Sequence, residues 1–203
     1  MGILKFGKAY FEDGKDSNYY GYAEQVTPKT IVVANDLVKL FDLGGMFVLD
    51  YGCAMGILVS ELRSYGVIAI GTDISDYALK EGHRILKNKG LIVHVDKFWD
   101  NFIRTTKFDY VLFLDVLEHM KEKSIRMLLL NLMANKLLVK IPICTKDGED
   151  FVFDASRKDK THITCRTKRW WKDLFKEYGY KKFTPIDTTY LFDSEGVLAG
   201  VFE

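Results

Sequence analysis

The sequence predicts an α/β fold: a doubly wound, seven-stranded, mostly parallel sheet with helices on both faces and an antiparallel C-terminal hairpin strand. Three observations carry this. Short apolar runs alternate with segments of helical periodicity along most of the chain. Repeated strand–helix units of that kind close a parallel sheet through right-handed crossovers. The run Phe108–Val116 (FDYVLFLDV) is apolar at nearly every position, as a central parallel strand covered on both faces should be. Finally, two strand-like runs straddle the turn DSEG, a connection short enough to make an antiparallel hairpin.

The elements follow in order. Thr27-Pro28 reads as an N-cap followed by proline at the first helical position. The helix runs to about Phe41, with Ile31, Ala34, Leu37, Val38 and Phe41 at helical spacing. Gly44-Gly45 ends the connection, and MFVLD is a short buried strand. A helix Ile57–Tyr65 and a strand VIAIGTD come next. Ser75 is placed to cap a helix reaching about Lys87, with Tyr77, Ala78 and Ile85 inward. LIVHVD is the third strand and FDYVLFLDV the fourth. A helix around Lys123–Met133 buries Ile125, Leu128, Leu129 and Leu132, and KLLVKIPI is the fifth strand. Thr167 caps a helix with Trp171, Leu174, Phe175 and Tyr178 on one face, stopped by Gly179. The closing hairpin takes about Lys181–Thr188 and Val197–Phe202. The aromatic stretch AYFEDGKDSNYYGYAEQ fits neither a helical nor a strand period.

Composition bounds the function. The 203 residues contain no repeat, no linker and only 3 prolines, so one domain spanning 1–203 is expected. A hydrophobic fraction of 48% marks a globular chain. The formal net charge of +1 offers no global reason for nucleic acid or a membrane surface as partner. Apolar runs fall well short of the roughly 20 residues that span a bilayer. The beginning does not read as a signal peptide, and Phe6 stands where a myristoylation pattern wants Ser or Thr. Cys53, Cys144 and Cys165 are far apart and form no C-x-x-C pair. They read as reduced thiols in a cytoplasmic protein, not as a zinc site or a disulfide framework.

The stretch FVLDYGCAMGILVSELRSYGVIAIGTDIS holds the chemistry. A glycine-rich turn after a first strand is where a nucleotide approaches the backbone. A dinucleotide site wants G-x-G-x-x-G, but Ile57 stands where its third glycine would fall. Charge discriminates further. Asp50, two residues before Gly52, would repel an anionic pyrophosphate by on the order of a kcal/mol or more in a partly buried site. A ligand with an ammonium group would be attracted instead. Asp73, ending the second strand, is placed to accept hydrogen bonds from two ribose hydroxyls. An amino group at one end and a ribose in the middle describe S-adenosylmethionine.

At these residues the chain resembles the class I S-adenosylmethionine-dependent methyltransferases of the small-molecule branch, which are Rossmann-like. VLDYGCAMGIL resembles the first motif, with Ala54 in place of the usual glycine; GTDIS, HVDKF and FDYVLFLDVLEHM resemble the ends of the next three strands, and KLLVKIP the fifth. DKTHITCRTKRWWKDLFKEYGY resembles a D-x-T-H-[IV] turn and the helix after it. The likeness runs from about Thr27 to Glu203. It implies cofactor contacts from Asp50, Gly52, Cys53, Ala54 and Gly56, from Asp73, Ile74 and Ser75, from Asp96, Lys97 and Phe98, and from Leu114, Asp115 and Val116. Asp96 would read the adenine amino group. The N-terminal segment 1–26 would close the site as a lid, with Tyr20 or Tyr22 touching the cofactor by cation–π contact.

Methyl transfer asks the protein to hold donor and acceptor in line and exclude water, with a base only where the acceptor loses a proton. His119, at the end of D-V-L-E-H, and His162, in the D-x-T-H turn, are the candidates, with Glu118 to orient either. The long loop 144–168 forms a substrate-side cap whose Arg157, Lys160 and Arg166, with the stacking face of Trp170, suit a phosphorylated or glycan-related small-molecule acceptor. No catalytic metal is expected, because no cluster has metal-ligand spacing. A monomer or a homodimer is compatible with the sequence. The competing readings are an RNA or protein methyltransferase, a non-catalytic S-adenosylmethionine-binding domain, and a dinucleotide oxidoreductase, the last opposed by Asp50 and Ile57.

Overall fold

The computed structural model describes residues 6–87, 91–96 and 105–203. The elements are α1 (Lys8–Glu12), α2 (Tyr22–Phe41), β1 (Phe47–Tyr51), α3 (Ile57–Ser64), β2 (Ile68–Asp73), α4 (Asp76–Leu86), β3 (Ile92–His94) and β4 (Lys107–Leu114). A 3-10 turn, Leu117–His119, leads to α5 (Glu122–Asn131), β5 (Met133–Pro142), α6 (Asp154–Lys158), α7 (Lys168–Glu177), β6 (Phe183–Pro185) and β7 (Val197–Phe202).

The strands form a seven-stranded sheet in the order β3-β2-β1-β4-β5-β7-β6. β1 to β5 are parallel, while β7 runs antiparallel between β5 and β6. Strand order reverses between β1 and β4, and the crevice at their carboxyl ends is the place such sheets bind ligands. Side chains alternate across the sheet. Leu49, Val111, Phe113 and Val139 pack with Ile125, Leu128, Trp171 and Phe175 of α5 and α7 on one face. Val48, Tyr110, Leu112 and Leu138 pack with Val33, Leu37, Leu58 and Leu62 of α2 and α3 on the other. Among the described residues no helix is long and apolar enough to cross a membrane.

The structure moves several boundaries. The second helix starts at Tyr22, not at Thr27-Pro28, with Gly21 as a left-handed N-cap and Pro28 inside. Pro28 therefore gives up one helical hydrogen bond. The helix extends regardless because Tyr22, Ala23 and Val26 pack on Tyr10 and Phe11. Its buried face is Val33, Ala34 and Leu37, while Ile31 is 43% exposed. On α4 the inward residues are Ala78, Leu79 and Gly82, and Ile85 faces solvent. Met133 opens β5 instead of ending a helix, because the chain turns at Leu132 and pairs at once with Lys107. β6 is short. Beyond Pro185 the pairing continues only as isolated bridges, Asp187 with Phe192 and Ser194 with Val197. The aromatic stretch holds most of α1, which turns Tyr10 and Phe11 inward, and the first residues of α2.

Candidate active site

The glycine turn between β1 and α3 is built from left-handed backbone: Gly52 at φ 82°, Ala54 at φ 48° and Gly56 at φ 71°. At Gly52 a Cβ would also lie 2.4 Å from Val116 Cγ2, so both conformation and space demand glycine there. Ala54 accepts the strained conformation with its methyl buried. Gly52 and Cys53 donate their N–H groups to Thr72 O at 2.7 and 3.0 Å, tying the turn to β2.

Asp73 completes the unit. Its Oδ2 accepts the Ala54 N–H and its Oδ1 the Ser75 N–H, both at 2.8 Å. Each oxygen keeps a lone pair for a second donor. Ser75 accepts the Ala78 N–H as the cap of α4 and donates to Phe6 O, so the N-terminal segment is anchored to the same turn. Asp50 is 4% exposed. Burial, and then the charge of Asp73, push its carboxyl up to about 7. Burial raises Asp73 as well, against the backbone N–H groups that stabilise its charge. Two acids that repel each other in a dry corner favour a cation between them.

A cavity of about 550 Å³ opens from this corner, a size suited to a cofactor and part of an acceptor. Asp50, Gly52, Cys53, Ala54, Asp73 and Ile74 line it, as do Leu114, Asp115 and Val116 at the end of β4. Asp115, at φ 55°, is paired with Lys140. The N-terminal segment supplies a wall of edge-to-face rings: Tyr19 against Tyr22 at 4.8 Å and Phe11 against Tyr22 at 5.3 Å. Burial raises Tyr10, Tyr19 and Tyr22 above the ordinary phenol, so all three stay protonated.

Other expected positions fall elsewhere. Tyr20 is 68% exposed, its ring lies beside Gly14, and it does not line the cavity. Gly56 caps α3 below the cavity, where a Cβ would strike Ile92. Ser75 does not line the cavity; it is taken up by Ala78 and Phe6. Asp96 is exposed and turned to His94, 3.6 Å away, while Val95 beside it faces the cavity. Lys97 and Phe98 lie outside the described residues.

The cap residues are likewise committed away from the cavity. Arg157 donates to Phe151 O and Val152 O and pairs with Asp154. Lys160 pairs with Asp16. Arg166 contacts Glu122 and stacks over Trp170, which packs against the core. None of the four lines the cavity. Each has found a partner close at hand, which a count of cations along the chain does not reveal.

The D-x-T-H turn has a different role: it clamps the 3-10 turn. Ile163 and Thr164 donate their N–H groups to Glu118 O, and the Thr164 hydroxyl donates to Met120 O. Asp159 Oδ1 accepts from the Thr161 N–H and hydroxyl, and Oδ2 from the Tyr10 hydroxyl at 3.1 Å. With its own proton given to Asp159, Thr161 Oγ1 is the acceptor for His119 Nδ1 at 2.8 Å. That fixes the tautomer and leaves the His119 lone pair on Nε2. His119 lines the cavity; burial, then His162, lower its pKa to about 4. His162 packs on it with ring centroids 4.6 Å apart. Glu118 lies behind, fully buried, its carboxyl raised well above the usual range by burial and then by Asp115. Sequence reading missed Tyr10, Tyr19, Asp159 and Thr161. The first two lie in the quoted aromatic stretch and the others in the D-x-T-H turn, so the segments were visible and the partners were not.

A family model described as a methyltransferase domain matches residues 32–184. The chain belongs to this methyltransferase family, and its expected place among the class I enzymes holds in both family and fold. Among solved structures, a SAM-dependent methyltransferase from Archaeoglobus fulgidus superposes at TM-score 0.64 and 16% identity, over 89% of this chain and 97% of that one. The magnesium protoporphyrin IX methyltransferase ChlM from Synechocystis PCC 6803, with bound SAM, gives 0.56 and 18%, over 100% and 89%. The N-terminal domain of EvdMO1, in the presence of SAH and D-fucose, gives 0.64 and 15%, over 85% and 81%. At these identities the likeness is one of fold. No curated protein sequence matches the chain.

Proposed function

We propose that this enzyme uses S-adenosylmethionine to methylate an oxygen, nitrogen or carbon atom of a small polar acceptor. The observation that carries this is the pair Asp50 and Asp73 at the glycine turn, one buried acid for an ammonium group and one with spare lone pairs for ribose hydroxyls. The left-handed turn at Gly52, which a Cβ would fill, leaves the backbone open to close approach. When bound, the cofactor supplies a methyl group already activated by a sulfonium centre.

The chain's residues do the rest. Asp50 and Asp73 hold the two polar ends, and Ile74 and Val95 offer apolar faces for a purine. Tyr19 and Tyr22 exclude water and present ring faces to a cation. Residues 1–26 act as a lid and 144–168 as a cap within one domain. The acceptor lies toward His119, which lines the cavity and takes its proton, while Glu118 and His162 behind it orient the ring. Of the cations lining the cavity among the described residues, Lys140 is neutralised by Asp115 and Lys29 is exposed. An uncharged polar acceptor, such as a glycan-related alcohol, therefore fits better than a phosphorylated one. Three free cysteines suit the reducing cytoplasm.

Calorimetry with S-adenosylmethionine, S-adenosylhomocysteine and NAD tests the reading. Micromolar binding of the first two, weakened at least about 100-fold in Asp73→Ala, is expected from losing two charge-assisted hydrogen bonds. Binding of NAD alone would overturn it.

A further inference from the structure

We propose that Glu118, His119 and His162 form a binding site for one divalent transition-metal ion in the wall of the cavity. One ligating atom from each residue lies within 4.8 Å of the others. His162 Nε2 stands 3.9 Å from Glu118 Oε1, roughly half an ångström wider than two ligands on an ion at about 2.0–2.2 Å. The remaining pairs lie within 4.8 Å, so side-chain rotation has to draw the three atoms in by up to about an ångström.

Two further observations point to an ion. Glu118 is 0% exposed, yet among the described residues neither of its carboxylate oxygens has a hydrogen-bond partner, and His162 Nδ1 is also buried and unpartnered there. Buried polar groups are ordinarily satisfied, and a buried carboxylate above all. A cation at this point gives the Glu118 carboxylate the partner it lacks and takes one ring nitrogen each from His119 and His162. The second observation is the hydrogen-bond chain from His119 Nδ1 to Thr161 and Asp159. Metal-ligating histidines characteristically give their other ring N–H to such a partner, which fixes the ring and raises its basicity. Asp159 Oδ2, 3.8 Å from His162 Nε2, adds a second negative charge nearby.

Two imidazoles and one carboxylate select zinc, cobalt or manganese over magnesium or calcium. Three protein ligands leave a position open, and His119 places it at the cavity. An ion there would bind an acceptor oxygen and lower its pKa. That role rests on the methyl-transfer reading, whereas the metal site itself does not. The expectation of no catalytic metal came from spacing along the chain, which cannot register His162 beside two residues far before it.

The test uses the full chain, stripped with chelator and dialysed, and titrated with Co²⁺ while visible d–d absorption is followed. One Co²⁺ per chain is expected, displaced by Zn²⁺ and not by Mg²⁺. Glu118→Gln and His162→Gln should each weaken binding at least tenfold. Both variants are checked for folding by circular dichroism and by S-adenosylhomocysteine binding, which uses the other end of the cavity. No Co²⁺ spectrum in the native protein, or one undiminished in both variants, overturns the site. If Co²⁺ fails while S-adenosylhomocysteine binds, the metal proposal alone falls. If Co²⁺ binds and S-adenosylhomocysteine does not, the methyl-donor reading falls and the metal site stands.

Discussion

Asp50 is held neutral up to about pH 7 by burial and by Asp73, and an ammonium ligand needs it ionised. Affinity for S-adenosylhomocysteine should fall as pH drops below 7, by at most about tenfold per unit. Asp50→Asn should bind more weakly and lose that dependence, which calorimetry across pH 5.5–8 (about the usable window) would reveal. The sign for folding is opposite. A carboxyl raised above its unfolded value of 3.8 makes the free protein lose stability as pH rises from there toward 7. Gly52 is a second residue-scale test. Gly52→Ala combines a left-handed φ of 82° with a Cβ contact of 2.4 Å. It should cost about 2–4 kcal/mol in urea denaturation, from strain and overpacking together. Asp50, Gly52 and Asp73 were legible in the sequence because they sit within one short stretch, where strand, turn and strand determine their positions. The sequence offered Tyr20 or Tyr22, whereas Tyr19 and Tyr22 line the cavity. The Tyr20 ring lies beside Gly14, and Gly21 turns the chain in a left-handed conformation before Tyr22.

The elements are joined to the site by their ends. Ser75 and Thr167 both cap helices, α4 and α7. Thr167→Ala should cost about 1 kcal/mol in thermal or chemical melts, the ordinary value of a cap, and leave ligand affinity alone. Ser75→Ala should cost more, about 1–2 kcal/mol, and should also weaken ligand binding. Its hydroxyl holds Phe6 as well as the helix, beside Asp73. A difference in affinity between the two variants is the informative readout. Tyr10 joins α1 to the cap through Asp159. Tyr10→Phe should leave the fold intact, speed proteolysis within residues 6–26 and weaken S-adenosylhomocysteine by about 5–10-fold, the worth of one ordinary hydrogen bond. Unchanged proteolysis and affinity would mean that the segment pads the sheet and is no lid. Helix α2 shows where local signals mislead. Thr27-Pro28 has the chemistry of a helix start, but the packing of Tyr22 and Val26 on Phe11 carries the helix a turn and a half past it.

For the whole molecule, stability and site separate along the strands. The site occupies the carboxyl ends of β1, β2 and β4, whereas Gly200 of β7 lies opposite Val139 and Pro185, away from it. A Cβ at Gly200 would meet Phe183 Cε2 at 2.4 Å and Thr184 O at 2.5 Å. Gly200→Ala should therefore lower the melting temperature by several degrees, roughly what 1–3 kcal/mol of overpacking predicts, with the ligand dissociation constant unchanged. A coupled loss of affinity would show that the hairpin edge and the crevice are not independent. The alternation of strands and helices, the antiparallel hairpin, and the acids and glycines of the first two strand ends can be read from the residues alone. These follow from periodicity, capping and turn chemistry, which act over a few neighbouring residues. Packing alone set that Lys160 is spent on Asp16 and Arg166 on Glu122, that Tyr10 reaches Asp159, and that His162 meets Glu118 and His119. Those meetings join segments far apart in the chain, and no local preference encodes them; they arise when the packed sheet brings its loops to one edge.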